Sequence, residues 1–217
     1  MNREKLVIFD WGGVLGSNWG MNDNQIGFFK AIGVEMGING FDEEDFIARV
    51  DRFKDIAKEY STLTTVSDDF SDEHVSKLLE TIYNLEPTYE NISNFKKSFM
   101  VTTCKCDCNT ELVKYAHSLK DRCLIGLLSN CAKLEKFKQD LDVKRSEFDF
   151  VYLSCDIGFR KPNKEIYNIV DVLKKHILFI DDSSENLLYP ELLGWKTHHY
   201  TGNNAETIKI IEDFLRD

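Results

Sequence analysis

The 217-residue chain is 42% hydrophobic and 12% aromatic, with three prolines and no low-complexity tract. That excludes a disordered or fibrous protein and allows one substantial core with room for a small accessory domain. The formal charge of −10 is the wrong sign for general binding to nucleic acid or anionic membrane, which needs basic clusters.

The first element is "LVIFD" (6–10), apolar throughout like a buried parallel strand, ending in Asp10 and followed by Trp11, Gly12 and Gly13. The opening "MNREKLVIF" is too short for a signal peptide, and no run approaches a membrane span. The expectation is a cytoplasmic protein whose six cysteines are thiols. Residues 20–108 show helical periodicity and no convincing strand. "FDEEDFIARVDRFKDIAKEY" (41–60) places Phe46, Val50, Phe53, Ala57 and Tyr60 on one face, with Asp42 as cap. "SDEHVSKLLETIYNL" (71–85) does the same with Val75, Leu78, Leu79, Ile82 and Leu85, capped by Ser71. "CKCDC" (104–108) has one-residue spacing where zinc sites use pairs two to four apart, so it reads as ordinary thiols in a loop.

From 109 onward helix and strand alternate. "NTELVKYAHSLKDR" (109–122), with Asn109 as N-cap, precedes the strand "CLIGLLS" (123–129). Then come helix 132–141, strand "FDFVYLS" (148–154), helix 163–175 and strand "HILFIDD" (176–182). A helix over 184–194, bent by Pro190, a weaker strand 195–200 and a helix 204–217 complete the chain. The pattern predicts an α/β fold: a three-layer, Rossmann-like parallel sheet with an inserted all-helical module. Residues 1–17 and 109–217 form the α/β domain, and 18–108 a helical cap.

Ligands of open parallel sheets bind at the carboxyl ends of the strands. Those ends carry Asp10, Ser129 with Asn130, Arg160 and Lys161 just beyond the third strand, and Asp181 with Asp182. An aspartate, a hydroxyl, a lysine and an acidic pair suit phosphoryl transfer with magnesium. Carboxylates hold a hard cation, while the lysine and hydroxyl meet phosphoryl oxygens as charge spreads onto them. The five histidines, 74, 117, 176, 198 and 199, lie outside these segments and read as surface or strand residues.

The order "FDWGGVL", "GLLSN", "GFRKPNKEIY", "FIDDSSENLLYPELLGW" resembles the haloacid dehalogenase superfamily. The nearest likeness is its phosphatase-like subfamily with a helical cap after the first motif. The resemblance implies Asp10 as nucleophile, Ser129 as the second-motif hydroxyl and Lys161 as the lysine pairing nucleophile and phosphate. It implies Mg2+ held by Asp10, the Gly12 carbonyl and Asp182, with Asp181 as acidic neighbour and Asn186 and Arg160 supporting. Gly12, Gly13, Asn130 and Trp19 would border a small phosphorylated metabolite.

One position departs from the family. Most such phosphatases carry a second aspartate two residues after the nucleophile, and here that residue is Gly12. The proton donor for the leaving group is lost while the metal-binding carbonyl stays. Two other readings follow: a phosphonoacetaldehyde hydrolase, needing a Schiff-base lysine such as Lys30, Lys54 or Lys58 in the cap, or a phosphate-binding regulatory protein with little turnover. Nothing in the pattern sets an oligomeric state.

Overall fold

A computed structural model describes residues 4–16, 23–53, 71–131, 133–173 and 175–217. Five strands, β1 (Lys5–Phe9), β2 (Leu124–Ser129), β3 (Phe150–Leu153), β4 (His176–Asp181) and β5 (Lys196–His199), pair in parallel in the order β3-β2-β1-β4-β5. The helices before β2 are α1 (Asp23–Glu35), α2 (43–53), α3 (Asp72–Leu78), α4 (Tyr89–Cys104) and α5 (Thr110–Ser118). After it come α6 (Lys136–Val143), α7 (Ser154–Ile157), α8 (Lys164–Asp171), α9 (Leu188–Leu192) and α10 (Asn204–Arg216).

The central strands are apolar on both faces because both faces are covered. Val7 and Phe9 pack with Leu112, Ala116, Ile211 and Phe214 on the side of α5 and α10. Leu6 and Ile8 pack with Ile166, Tyr167, Val170 and Trp195 on the side of α8. A third apolar cluster joins Phe29, Ile32, Val50, Val75, Leu79 and Phe95 within the helical insert. The expected caps form: Asn109 accepts from the Leu112 N–H, Ser71 from His74 and Asp42 from Asp45. Ala57 and Tyr60 lie outside the described residues.

Where the chain re-enters the α/β layers it is tied to where it left them. The Asn109 N–H donates to the Leu15 carbonyl at 2.8 Å, and its side-chain amide to that of Val14 at 3.0 Å. The segment 184–194 differs from one bent helix. A 3-10 turn over Ser184–Leu187 leads into α9, so Pro190 sits in the first turn of a new helix, where a missing N–H breaks no bond. His74 is buried on α3, neither a surface nor a strand residue, while His198 is a strand residue of β5, buried against the Thr207 hydroxyl at 2.9 Å. On α6, Leu141 is 66% exposed while Lys138 and Gln139 are buried.

Among the described residues no helix is long and apolar enough to cross a membrane. The cysteines of "CKCDC" end α4 and enter the following turn, and none belongs to a potential metal cluster among the described residues.

Candidate active site

The strand order reverses at β1, which opens a crevice at its carboxyl end. Phe9 is level with Ile180 of β4, so the next residues, Asp10 and Asp181, come side by side. Two adjacent buried carboxylates repel each other, and Lys161 resolves the conflict. Its Nζ lies 2.8 Å from Asp10 Oδ2 and 2.6 Å from Asp181 Oδ2, with the Lys161 side chain 1% exposed. Burial opposes the lysine's charge, but the two carboxylates outweigh it and hold its pKa above that of a free lysine.

Lys161 arrives on the loop after α7, which Gly158 turns at φ 81°, a conformation that favours glycine. A reciprocal clamp then fixes its backbone: the Lys161 N–H donates to Asn130 Oδ1 (2.8 Å), and Asn130 Nδ2 donates to the Lys161 carbonyl (2.9 Å). The Asn130 side chain is thus committed to Lys161, which leaves its backbone for the expected substrate contact.

Asp181 is fully buried, and its Oδ1 accepts from the Ser183 N–H at 2.9 Å and from Asn186 Nδ2 at 2.8 Å. Asn186 therefore acts on the acidic pair through Asp181. Burial, and then repulsion from Asp181, push the half-buried Asp182 carboxyl above its ordinary value. Asp10 is pushed to about 7, by burial first and by Asp181 and Asp182 besides, against the pull of Lys161. Carboxylate oxygens of Asp10, Asp181 and Asp182 lie within 4.8 Å of one another. With all three ionised, three carboxylates face one ammonium, leaving two negative charges uncompensated, which is the repulsion that, after burial, raises Asp10 and Asp182. That donor set fits a hard divalent cation.

Ser129 is 1% exposed at the end of β2; its hydroxyl donates to the Asn130 carbonyl at 3.3 Å and accepts from Gln139 Nε2 at 3.4 Å. Gln139 carries no signal in the sequence, where it reads as one more solvated helix residue. Arg160 is half-buried beside Glu185.

The turn after β1 explains its glycines. Gly12 (φ −62°, ψ 127°) and Gly13 (φ 72°, ψ −8°) hold the two central positions of a type II turn, so glycine is demanded at 13 and not at 12. A Cβ on Gly12 would meet nothing within 4 Å, whereas one on Gly16 would lie 2.5 Å from the Trp11 indole nitrogen. Trp19, Lys54 and Lys58 lie outside the described residues, and Lys30 is paired with Glu43 at 2.5 Å.

Replacing Lys161 with methionine leaves Asp10 and Asp181 buried without their shared counter-ion. The expected cost is about 3–5 kcal/mol, read as a lower urea midpoint. An unchanged midpoint would contradict the bridging role.

No family model and no curated protein matches the sequence. Solved structures do. A haloacid dehalogenase family enzyme from Bacteroides thetaiotaomicron superposes with a TM-score of 0.70 at 19% identity, over 96% of this chain and 99% of that one. The wild-type form of that enzyme in complex with magnesium and inorganic phosphate gives 0.62 at 19%, over 92% and 96%. A predicted haloacid-dehalogenase-like hydrolase from Porphyromonas gingivalis gives 0.62 at 25%, covering 98% of each chain. A dehalogenase gives 0.61 at 19%, over 94% of this chain and 88% of that one.

Proposed function

From the haloacid dehalogenase fold on which this chain is built, we propose a magnesium-dependent phosphatase of a small phosphorylated metabolite, working through a phosphoryl group on Asp10. The observation that carries the reading is the Asp10–Lys161–Asp181 bridge beside Asp182, a buried site two positive charges short of neutrality. One neighbour above, solved in complex with magnesium and inorganic phosphate, and another, a predicted hydrolase, support the reading.

Asp10 attacks phosphorus, the P–O bond to the leaving group breaks, and an aspartyl-phosphate forms. Lys161 and the Ser129 hydroxyl donate to the equatorial oxygens as negative charge moves onto them. Water then cleaves the acyl phosphate and restores the Asp10 carboxylate. Asp10, the Gly12 carbonyl and Asp182 would hold magnesium, which when bound neutralises phosphoryl charge. Asp181, already accepting from Lys161, Ser183 and Asn186, anchors the lysine. The helical insert acts as a cap that excludes water and selects the leaving group.

With glycine at position 12, no carboxyl there protonates the leaving group, a contribution worth roughly 10²–10⁴ in rate. Acyl phosphates and p-nitrophenyl phosphate, whose leaving groups depart unprotonated, should outpace alkyl phosphate esters. The test is a panel of phosphometabolites with magnesium, wild type beside Asp10→Asn. Equal trace activity in the two sinks the hydrolase reading. Phosphate bound with no turnover would favour the regulatory one.

Magnesium should also stabilise the protein. At a hundred times its Kd, a ligand bound only by the folded state adds about 2.7 kcal/mol. For a chain of this length that is a rise in Tm of about 5–10 °C. Chelation should remove the rise and Asp182→Asn should abolish it. A Tm indifferent to magnesium contradicts the site.

A further inference from the structure

α6 buries Lys138 and Gln139 beside Val143, and turns Leu141 out to solvent. The side chains of Lys138 and Asp142 are 4% and 5% exposed and form an ion pair one helical turn apart. Gln139 beside them is 0% exposed. Removing two charges from water is expensive and is seldom repaid in stability, so a buried pair away from the reacting groups calls for another account.

Each of these side chains reaches a different part of the site's frame. The Trp11 indole Nε1–H donates to Asp142 Oδ2 at 3.2 Å. The backbone N–H of the same tryptophan donates to Asp10 Oδ1 at 2.6 Å. The indole can lie there because Gly16 has no Cβ. Lys138 Nζ donates to the Cys106 carbonyl at 2.9 Å, in the turn by which the helical insert returns to the sheet. Gln139 Nε2 donates to Ser129 Oγ, which occupies a lone pair of that hydroxyl and commits it to donate its hydrogen, held at 3.3 Å by the Asn130 carbonyl until a phosphoryl oxygen offers a better acceptor. Gln139 Oε1 has no partner among the described residues, so the amide is arranged for its Nε2 contact.

We infer that the inward face of α6 positions the reacting groups: Asp142 with Lys138 fixes the turn that carries Asp10, and Gln139 aims the Ser129 hydroxyl. The same pair anchors the "CKCDC" turn through a carbonyl oxygen rather than through a thiol. The inference rests on the phosphatase reading for its kinetic consequences only.

Lys138→Met/Asp142→Leu removes both charges at once, a change that buried pairs often tolerate without loss of stability. The double variant should keep a Tm close to wild type while kcat on p-nitrophenyl phosphate falls about tenfold and KM stays within about twofold, as for a misplaced nucleophile. Trp11→Phe, which deletes the indole donor and shortens the buried ring, should reproduce the loss, and its effect through Asp142 should add nothing to the double variant. Wild-type kcat in a stable double variant, with wild-type kcat in Trp11→Phe, overturns the inference. Gln139→Met should lower kcat in the native background and leave Ser129→Ala unchanged; equal losses in both overturn its part. Absence of Asp10-dependent turnover in wild type defeats the functional reading instead. The positioning is then read without turnover. Amides of 105–109 should exchange faster in the double variant, and inorganic phosphate should bind more weakly in the presence of magnesium. Unaltered exchange with unaltered phosphate affinity overturns the inference by itself.

Discussion

Asp10→Asn should lower kcat by at least about 10³-fold, the scale on which removal of an attacking group is felt. The variant is nearly isosteric, so the Trp11 N–H keeps an acceptor, and Lys161 keeps its partner Asp181. The carboxylate it deletes is one that burial already penalises, together with repulsion from Asp181 and Asp182. The fold therefore loses little, and Tm should stay near that of wild type. Stability and turnover thus separate in one protein, which is the signature of a reacting group rather than a structural one. Steady-state kinetics beside a thermal melt checks both halves. A variant that melts early and loses activity in proportion would move Asp10 into the structural class.

Gly12→Asp should raise turnover. The backbone there (φ −62°, ψ 127°) suits any residue, and a Cβ would meet nothing within 4 Å. An aspartate at that position enters open space two residues from the nucleophile, able to donate a proton to the leaving oxygen and later to take one from water. A well-placed acid-base group contributes roughly 10²–10⁴. An unrefined one should supply the lower part of that range, a gain of about 10–100-fold on alkyl phosphates. The gain should shrink on p-nitrophenyl phosphate, whose leaving group needs no proton. Gly12→Ala controls for the side chain alone and should gain nothing. The extra negative charge works against the effect by crowding Asp181 and Asp182, and magnesium in excess offsets it. Equal rates for the aspartate and alanine variants across both substrate types would show that the missing donor does not limit turnover.

The parts that were legible in the sequence share a physical cause. β1, β2 and β4 are covered on both faces, so they read as unbroken apolar runs, and the residues closing those runs had to meet at one sheet edge. Asp10, Ser129, Asp181 and Asp182 are found by that logic, and Lys161 by its place in the loop beyond β3. The helix over 184–194 misled because apolar spacing shows where a helix is favoured and not where it restarts; the 3-10 turn before Pro190 leaves no such trace. α6 is less legible still. The stretch 132–141 reads as a helix without showing which side faces inward, and the structure buries Lys138 and Gln139 while exposing Leu141. Periodicity assumes that burial follows hydrophobicity, and here Lys138, Gln139 and Asp142 are buried by partners 10 to 131 residues away. The Asn130 clamp on Lys161 spans 31 residues and is equally silent until the strands are placed side by side.

The central claim is that Asp10 becomes phosphorylated. Incubating the protein with magnesium and an acyl phosphate, quenching in acid and mapping the peptides by mass tests it most directly. The account predicts one phosphoryl group on the peptide that contains Asp10, labile to hydroxylamine as an acyl phosphate is, and absent from Asp10→Asn. A label on another residue, or one that survives in Asp10→Asn, would contradict it.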